Sequence, residues 1–186
     1  MKCLLLLFCM SAFCLANAQK KLAYTGSVEG GLLLGNKPVS SFVLTTQGVA
    51  YKQFTFGVGS GFDFYRLPSV PLFVDAKKIF SHKQMQPYVE AAAGVNFTNR
   101  HSSAAKNITY YSSTGKFDNG SFIKGGGGLL FRAQKKIKVL LSAGYTYKTA
   151  TFSYTPVTGQ PWAWQIQPVK DVYQFHRWYT GVGISW

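Results

Sequence analysis

Beyond residue 14 the chain has no cysteine; its three, Cys3, Cys9 and Cys14, crowd into the N-terminus. That excludes a disulfide framework, a thiolate metal site and a cysteine nucleophile from the rest of the chain. Small secreted domains often depend on disulfides, so this one must be held together differently. Long apolar runs are also missing. After the N-terminal segment nothing approaches the ~18 consecutive apolar residues of a membrane-spanning helix. Charge is scarce, at 14% of residues against roughly 25% in an average soluble domain. Acids are scarcest: six, against twenty Lys and Arg, for a formal net charge of +14. His82, His101 and His176 lack metal-ligand spacing, so neither a metal nor a cofactor is expected. Gly125-Gly-Gly-Gly128 lacks the Lys-Ser/Thr that completes a phosphate loop. It falls within a strand pattern, where glycine marks close packing or a bend. A nucleophile elbow is absent as well, and the sequence points away from an enzyme.

What is present starts with a signal peptide, residues 1–18. Lys2 gives the positive start, Leu4 to Cys14 the apolar stretch, and Ala16-Asn17-Ala18 a small-x-small cleavage site before Gln19. Residues 19–186 then suit one domain. Aromatics reach 16% and glycines number 19, a composition suited to a surface that faces lipid. If such a chain spans a membrane without apolar helices, a closed β-barrel remains, because every backbone polar group must find its partner internally. The positive charge raises the question of nucleic acid. Lys and Arg are spread along a secreted chain, however, and anionic lipid headgroups or lipopolysaccharide phosphates are the more natural partners.

Hydrophobicity repeats with period two, the mark of strands. Eight segments follow, at about 22–34, 41–52, 54–66, 71–81, 86–99, 119–133, 136–150 and 172–186. The third is clearest: Phe54, Phe56, Val58, Ser60, Phe62 and Phe64 share one face, and Thr55, Gly57, Gly59, Gly61, Asp63 and Tyr65 the other. The fifth, seventh and last repeat the plan; the first, second and fourth alternate less cleanly, and their registers stay open. Connections around Gln53, His82–Met85 and Gln134–Lys135 are short. Those at Arg100–Asp118 and Thr151–Asp171 are long and rich in Ser, Thr, Asn, Tyr and Trp, including Tyr154, Trp162 and Trp164. Such loops either bind a partner or pack over the barrel mouth. Short turns at one end and long loops at the other form the outer-membrane pattern.

A soluble barrel would be apolar inside and polar outside. Here the polar face, built of Gly, Ser, Thr and Tyr with isolated charges, suits the cramped interior of an eight-stranded barrel. Phe54 and Phe64 lie ten residues apart on the apolar face. At roughly 3.3 Å per residue and ~40° tilt they span about 25 Å, the height of a lipid-facing band. Phe54, Phe56, Phe62, Phe64, Trp178 and Trp186 are therefore expected to form two interfacial girdles.

The chain resembles the outer-membrane β-barrel domain family common in Bacteroidota, related in shape to the OmpA-type small barrels. The likeness rests on Ala16-Asn-Ala-Gln19, Gly57-Val-Gly-Ser-Gly-Phe-Asp-Phe-Tyr65, Pro71-Leu-Phe-Val-Asp75, Pro87-Tyr-Val-Glu-Ala-Ala-Ala-Gly94 and Gly181-Val-Gly-Ile-Ser-Trp186. It covers essentially all of residues 19–186. It implies an all-β, eight-stranded, antiparallel, up-and-down transmembrane barrel located in an outer membrane. It also implies contact with outer-membrane lipid and lipopolysaccharide, and assembly by machinery that reads the C-terminal strand. The final Trp186 stands where Phe is more usual.

Glu29, Asp63, Asp75 and Glu90 fall on inward positions, as do Lys77, Lys124, Arg132, Lys138, Lys148 and Arg177. A charge in a narrow barrel must be paired or hydrated, so an internal ion-pair network is expected. It either plugs the barrel or forms a narrow polar pore. His176, near Ser153 and Asp171, offers the one acid–base arrangement of interest for a lipid A-modifying activity, but its parity puts it on the outer face beside Trp178.

Overall fold

The computed structural model describes residues 22–35, 39–81, 84–98, 116–134, 136–154, 157–158, 165–166 and 169–186. The expected signal peptide (residues 1–18), Trp162, Trp164 and most of the 100–118 loop lie outside the described residues. Among those described, eight long strands alternate up and down: β1 (Ala23–Leu34), β2 (Ser40–Tyr51), β3 (Phe54–Asp63), β4 (Ser69–Ile79), β5 (Met85–Thr98), β6 (Gly120–Arg132), β7 (Lys138–Tyr154) and β8 (Val169–Ser185). Each is antiparallel to its neighbours, and β8 also pairs with β1, closing the sheet into a barrel. No helix among the described residues is long and apolar enough to cross a membrane.

The register fixes the size of the barrel. Starting from Leu34, directly opposite residues run Trp178, Tyr145, Gly125, Ala91, Ala76, Phe56, Val49 and Tyr24. One circuit therefore returns to β1 displaced by ten residues. For eight strands that stagger sets a tilt of about 40° and a radius of about 8 Å. A lumen so narrow is filled by side chains.

Side-chain parity follows the expected faces. Outward, the mid-height positions are aliphatic, as at Val28, Val58, Val74, Leu141 and Val182, all exposed. Phe54, Phe56 and Trp186, joined by Tyr24, Tyr51 and Phe80, are exposed at the short-turn end. Phe62, Phe64 and Trp178, joined by Phe97, are exposed toward the loop end. Phe54 stacks beside Phe56, and Phe62 beside Phe64, each pair at 6.2 Å. The β2–β3 turn is two residues long, with Lys52 held at φ 56°.

The boundaries differ from expectation at three places. The third segment ends at Asp63 rather than 66, where the Asp63 carboxylate accepts the Tyr65 amide at 2.9 Å. The fourth begins at Ser69, but opposite Pro71 and Val70 the β3–β4 ladder skips Gly61 and Phe62, because proline has no N–H to give. Where the 151–171 connection is described it is strand: β7 runs to Tyr154 and β8 starts at Val169, with a two-residue ladder between Val157–Thr158 and Gln165–Ile166. A short strand, Lys116–Asp118, continues this extension beside β7. Its inward side chains explain its persistence. Phe117, Phe152, Phe175 and Ala150 are buried together with Tyr65 and Leu67, with Phe117 and Phe152 4.8 Å apart.

The glycine run lies inside β6. Gly126 and Gly144 lie opposite each other beneath Tyr179, and a Cβ at either would collide with that ring or its hydroxyl. Gly144→Val should destabilise the barrel by about 1–3 kcal/mol through overpacking. The check is the temperature at which the compact, unboiled band is lost on SDS gels, expected to fall in the variant.

Candidate functional site

The inward residues of the eight strands stack in layers. At the turn end Ile79, Tyr88, Leu130 and Leu140 pack together, beside a cavity of about 80 Å³ lined in part by Thr25, Thr46, Thr55, Lys138 and Ser185. Above them comes the first charged layer. Lys124 Nζ lies 2.9 Å from both Glu29 Oε2 and Glu90 Oε1. Lys77 Nζ lies 3.5 Å from Asp75 and 3.4 Å from Glu90. The Tyr179 hydroxyl donates to Glu90 at 2.7 Å, and the Ser142 hydroxyl donates to Glu29.

An apolar layer follows, formed by Leu33, Phe42, Leu44, Phe73, Ala92 and Phe122 with the ring of Tyr179. Phe42 meets Tyr179 edge-on at 6.1 Å, and Phe73 meets Phe122 at 5.3 Å. The second charged layer lies beyond. Asp63 pairs with Arg177 and, at 3.1 Å, with Lys148. Lys148 is fully buried and also donates to the carbonyls of Tyr65 and Leu67 at 3.1 and 2.9 Å and to the Ser69 hydroxyl at 3.0 Å. Arg177 reaches toward Thr146 and lies 5.3 Å from the Tyr65 ring. The aromatic lid of the loop-side extension covers this layer.

Four buried carboxylates thus face four cations, three of them buried and Lys77 half-buried. Glu29, Asp75, Glu90, Lys77 and Lys124 form one group, and Asp63, Arg177 and Lys148 the other. Arg132 and Lys138 are in neither. Their parity is inward, but they sit opposite each other at the last step of the β6–β7 hairpin, Arg132 exposed and Lys138 half-buried. The strand ends there, before either can reach a carboxylate, so Arg132 leaves the expected network and Lys138 lines only the turn-end cavity. The reading by residue type missed the hydroxyl partners Ser142 and Tyr179. Both were on the inward parity, but only the cross-barrel register shows what they touch.

On the outer wall His176 is exposed and shares a hydrogen bond with the Tyr145 hydroxyl, its ring 4.9 Å from that of Tyr147. Ser153 donates instead to Asp118 at 2.8 Å, so the acid–base arrangement considered for His176 is not assembled. Next to it, where β1 ends and β8 continues, lies a groove of about 560 Å³ whose lining includes Leu34, Tyr65, Arg66, Gln174, His176 and Trp178. Among the described residues no group of three His, Cys, Asp or Glu is placed to hold a metal ion.

Closure, stagger and an aromatic-banded apolar exterior define an eight-stranded antiparallel barrel of the outer-membrane type. No protein-family model matches the chain, and no curated protein does. Among solved structures it is similar to Neisserial surface protein A, with a TM-score of 0.51 and 12% identity, over 88% of this chain and 97% of that one. At that identity the likeness is one of fold.

Removing one partner of a buried charge group leaves the others uncompensated, at a cost of about 3–5 kcal/mol. Lys124→Met should lower the stability of the refolded barrel by about that amount, read from the urea midpoint in micelles. Lys138→Met, outside both groups, should change it by less than about 1 kcal/mol.

Proposed function

We propose that this chain is a non-conducting integral outer-membrane barrel with a structural or surface-binding role on its loop side. The observation that carries the reading is the closed lumen. The gap beside the apolar layer, lined by Leu33, Phe42, Leu44, Phe122 and Tyr179 among others, measures about 10 Å³, at or below the space needed for one water. Charged groups on either side are committed to one another, which weighs against the alternative of a narrow solute pore.

The surface-binding part rests on the loop end. There a two-strand extension carries the chain past the aromatic girdle, and the groove beside His176 combines Arg66, Gln174 and Trp178, the mixture of cation, amide and aromatic common in binding surfaces. In this reading residues 1–18 are a removable signal, and the exposed Val182, Ile184 and Trp186 present β8 to the assembly machinery. Membrane lipid covers the outer wall, with lipopolysaccharide at the loop end. The resemblance to the Bacteroidota barrel family belongs to the same proposal.

Planar-bilayer recording tests it. Purified protein that inserts, judged by its heat-shifted mobility from the same vesicles, should add no steps above baseline, and the Glu90→Gln, Arg177→Met double variant should add none. Steady unitary conductance in the wild type would overturn the reading in favour of a pore.

A further inference from the structure

With four carboxylates matched to four cations, the interior carries no surplus charge. Among the described residues the remaining Lys and Arg stand at the two rims, which divide them unequally. The loop rim has Arg66 and Lys170, but also Asp118 and Asp171. At the turn rim stand Lys52, Lys78, Arg132, Lys136 and Lys138, with no acid among the described residues of that rim.

Two features tie this basic rim to lipid. Lys78 lies on the outward parity of β4, its ammonium 5.5 Å from the Phe54 ring and 5.4 Å from the Phe80 ring, and Lys52 lies 5.4 Å from Tyr51. These cations are set into the aromatic girdle, at the height where headgroups lie. Arg132 and Lys138 face each other directly across β6 and β7, an arrangement that repels unless an anion intervenes. No described carboxylate is within ion-pair distance of either.

We propose that the short-turn rim is a binding surface for anionic glycerophospholipid, its cations engaging phosphodiester headgroups of the leaflet on that side. The inference rests on the membrane-barrel reading above. A zwitterionic lipid offers the same phosphate with its own cation attached, so the surface discriminates by net headgroup charge. Each basic side chain near an anionic surface strengthens attachment by about fivefold, and several acting together give a selective annulus.

The test is native mass spectrometry of the barrel released from micelles after titration with phosphatidylglycerol or phosphatidylcholine of matched acyl chains. The wild type should retain the anionic lipid by at least about tenfold over the zwitterionic one. Lys52→Gln, Lys78→Gln and Lys136→Gln combined should bring that ratio close to one, as should high salt on the wild type. Arg66→Gln with Lys170→Gln, at the other rim, should leave it intact.

Equal retention of both lipids by the wild type would overturn the proposal. So would a preference that survives in the triple variant, or one lost equally in the loop-rim variant. Loss of the preference in millimolar inorganic phosphate would also overturn it, by revealing a site for free anions. Heat-shifted mobility is measured on every sample. Its absence in the wild type would strike the barrel reading itself. Should only the triple variant fail to fold, the salt titration of the wild type decides the matter.

Discussion

Lipid offers a backbone N–H or C=O no partner, and the pairing of β8 with β1 is what lets this chain meet that constraint. Ser27 to Leu34 lie opposite Ser185 to Trp178, so the two edges that an open sheet would expose are joined. The rest follows from how that seam is registered. A ten-residue displacement over eight strands fixes tilt and radius together. The radius in turn leaves a lumen that side chains fill, and the tilt places aromatics ten residues apart at the two edges of a band about 25 Å tall.

A filled lumen with inward polar parity has to resolve its charges locally. The molecule does so by alternation. Charged layers on Lys124 and on Asp63 are separated by rings and aliphatic side chains, and Tyr179 belongs to both worlds. Its ring packs on Phe42 while its hydroxyl serves Glu90. Gly126 and Gly144 make room for that ring, which connects the glycine run of β6 to the electrostatics. Because the two interior groups balance each other, the surplus charge of the described residues sits at the rims, and its asymmetry distinguishes one end of the barrel from the other.

Much of this was legible in residue order. Where alternation is clean, as in β3, β5, β7 and β8, parity alone separated Phe62 from Asp63 and Trp178 from Arg177. Asp63 and Glu90 could be picked out for the same reason, whereas Glu29 and Asp75 lie on β1 and β4, where alternation is less clean. The pairing of Lys124 with Glu29, 95 residues earlier, could not, because it depends on the stagger, which no single strand records. Arg132 shows the limit of parity: its direction is inward, but its strand ends first. The length of the β7–β8 hairpin was also hidden. It is sustained by Phe117, a residue remote in sequence whose packing against Phe152 appears only in three dimensions. Likewise, lysines that look evenly spread along the chain separate into rims only after the strands reverse direction.

The seam is the most direct place to test the account. Val28 and Ile184 lie opposite each other on the outer face of β1 and β8, a separation that suits a disulfide, and the chain has no native cysteine beyond residue 14. Val28→Cys with Ile184→Cys should oxidise nearly completely in the folded, heat-modifiable protein. The offset pair Val28→Cys with Val182→Cys should remain largely reduced. Efficient crosslinking of the offset pair, or none in the matched pair of a folded sample, would contradict the closed barrel and its ten-residue stagger.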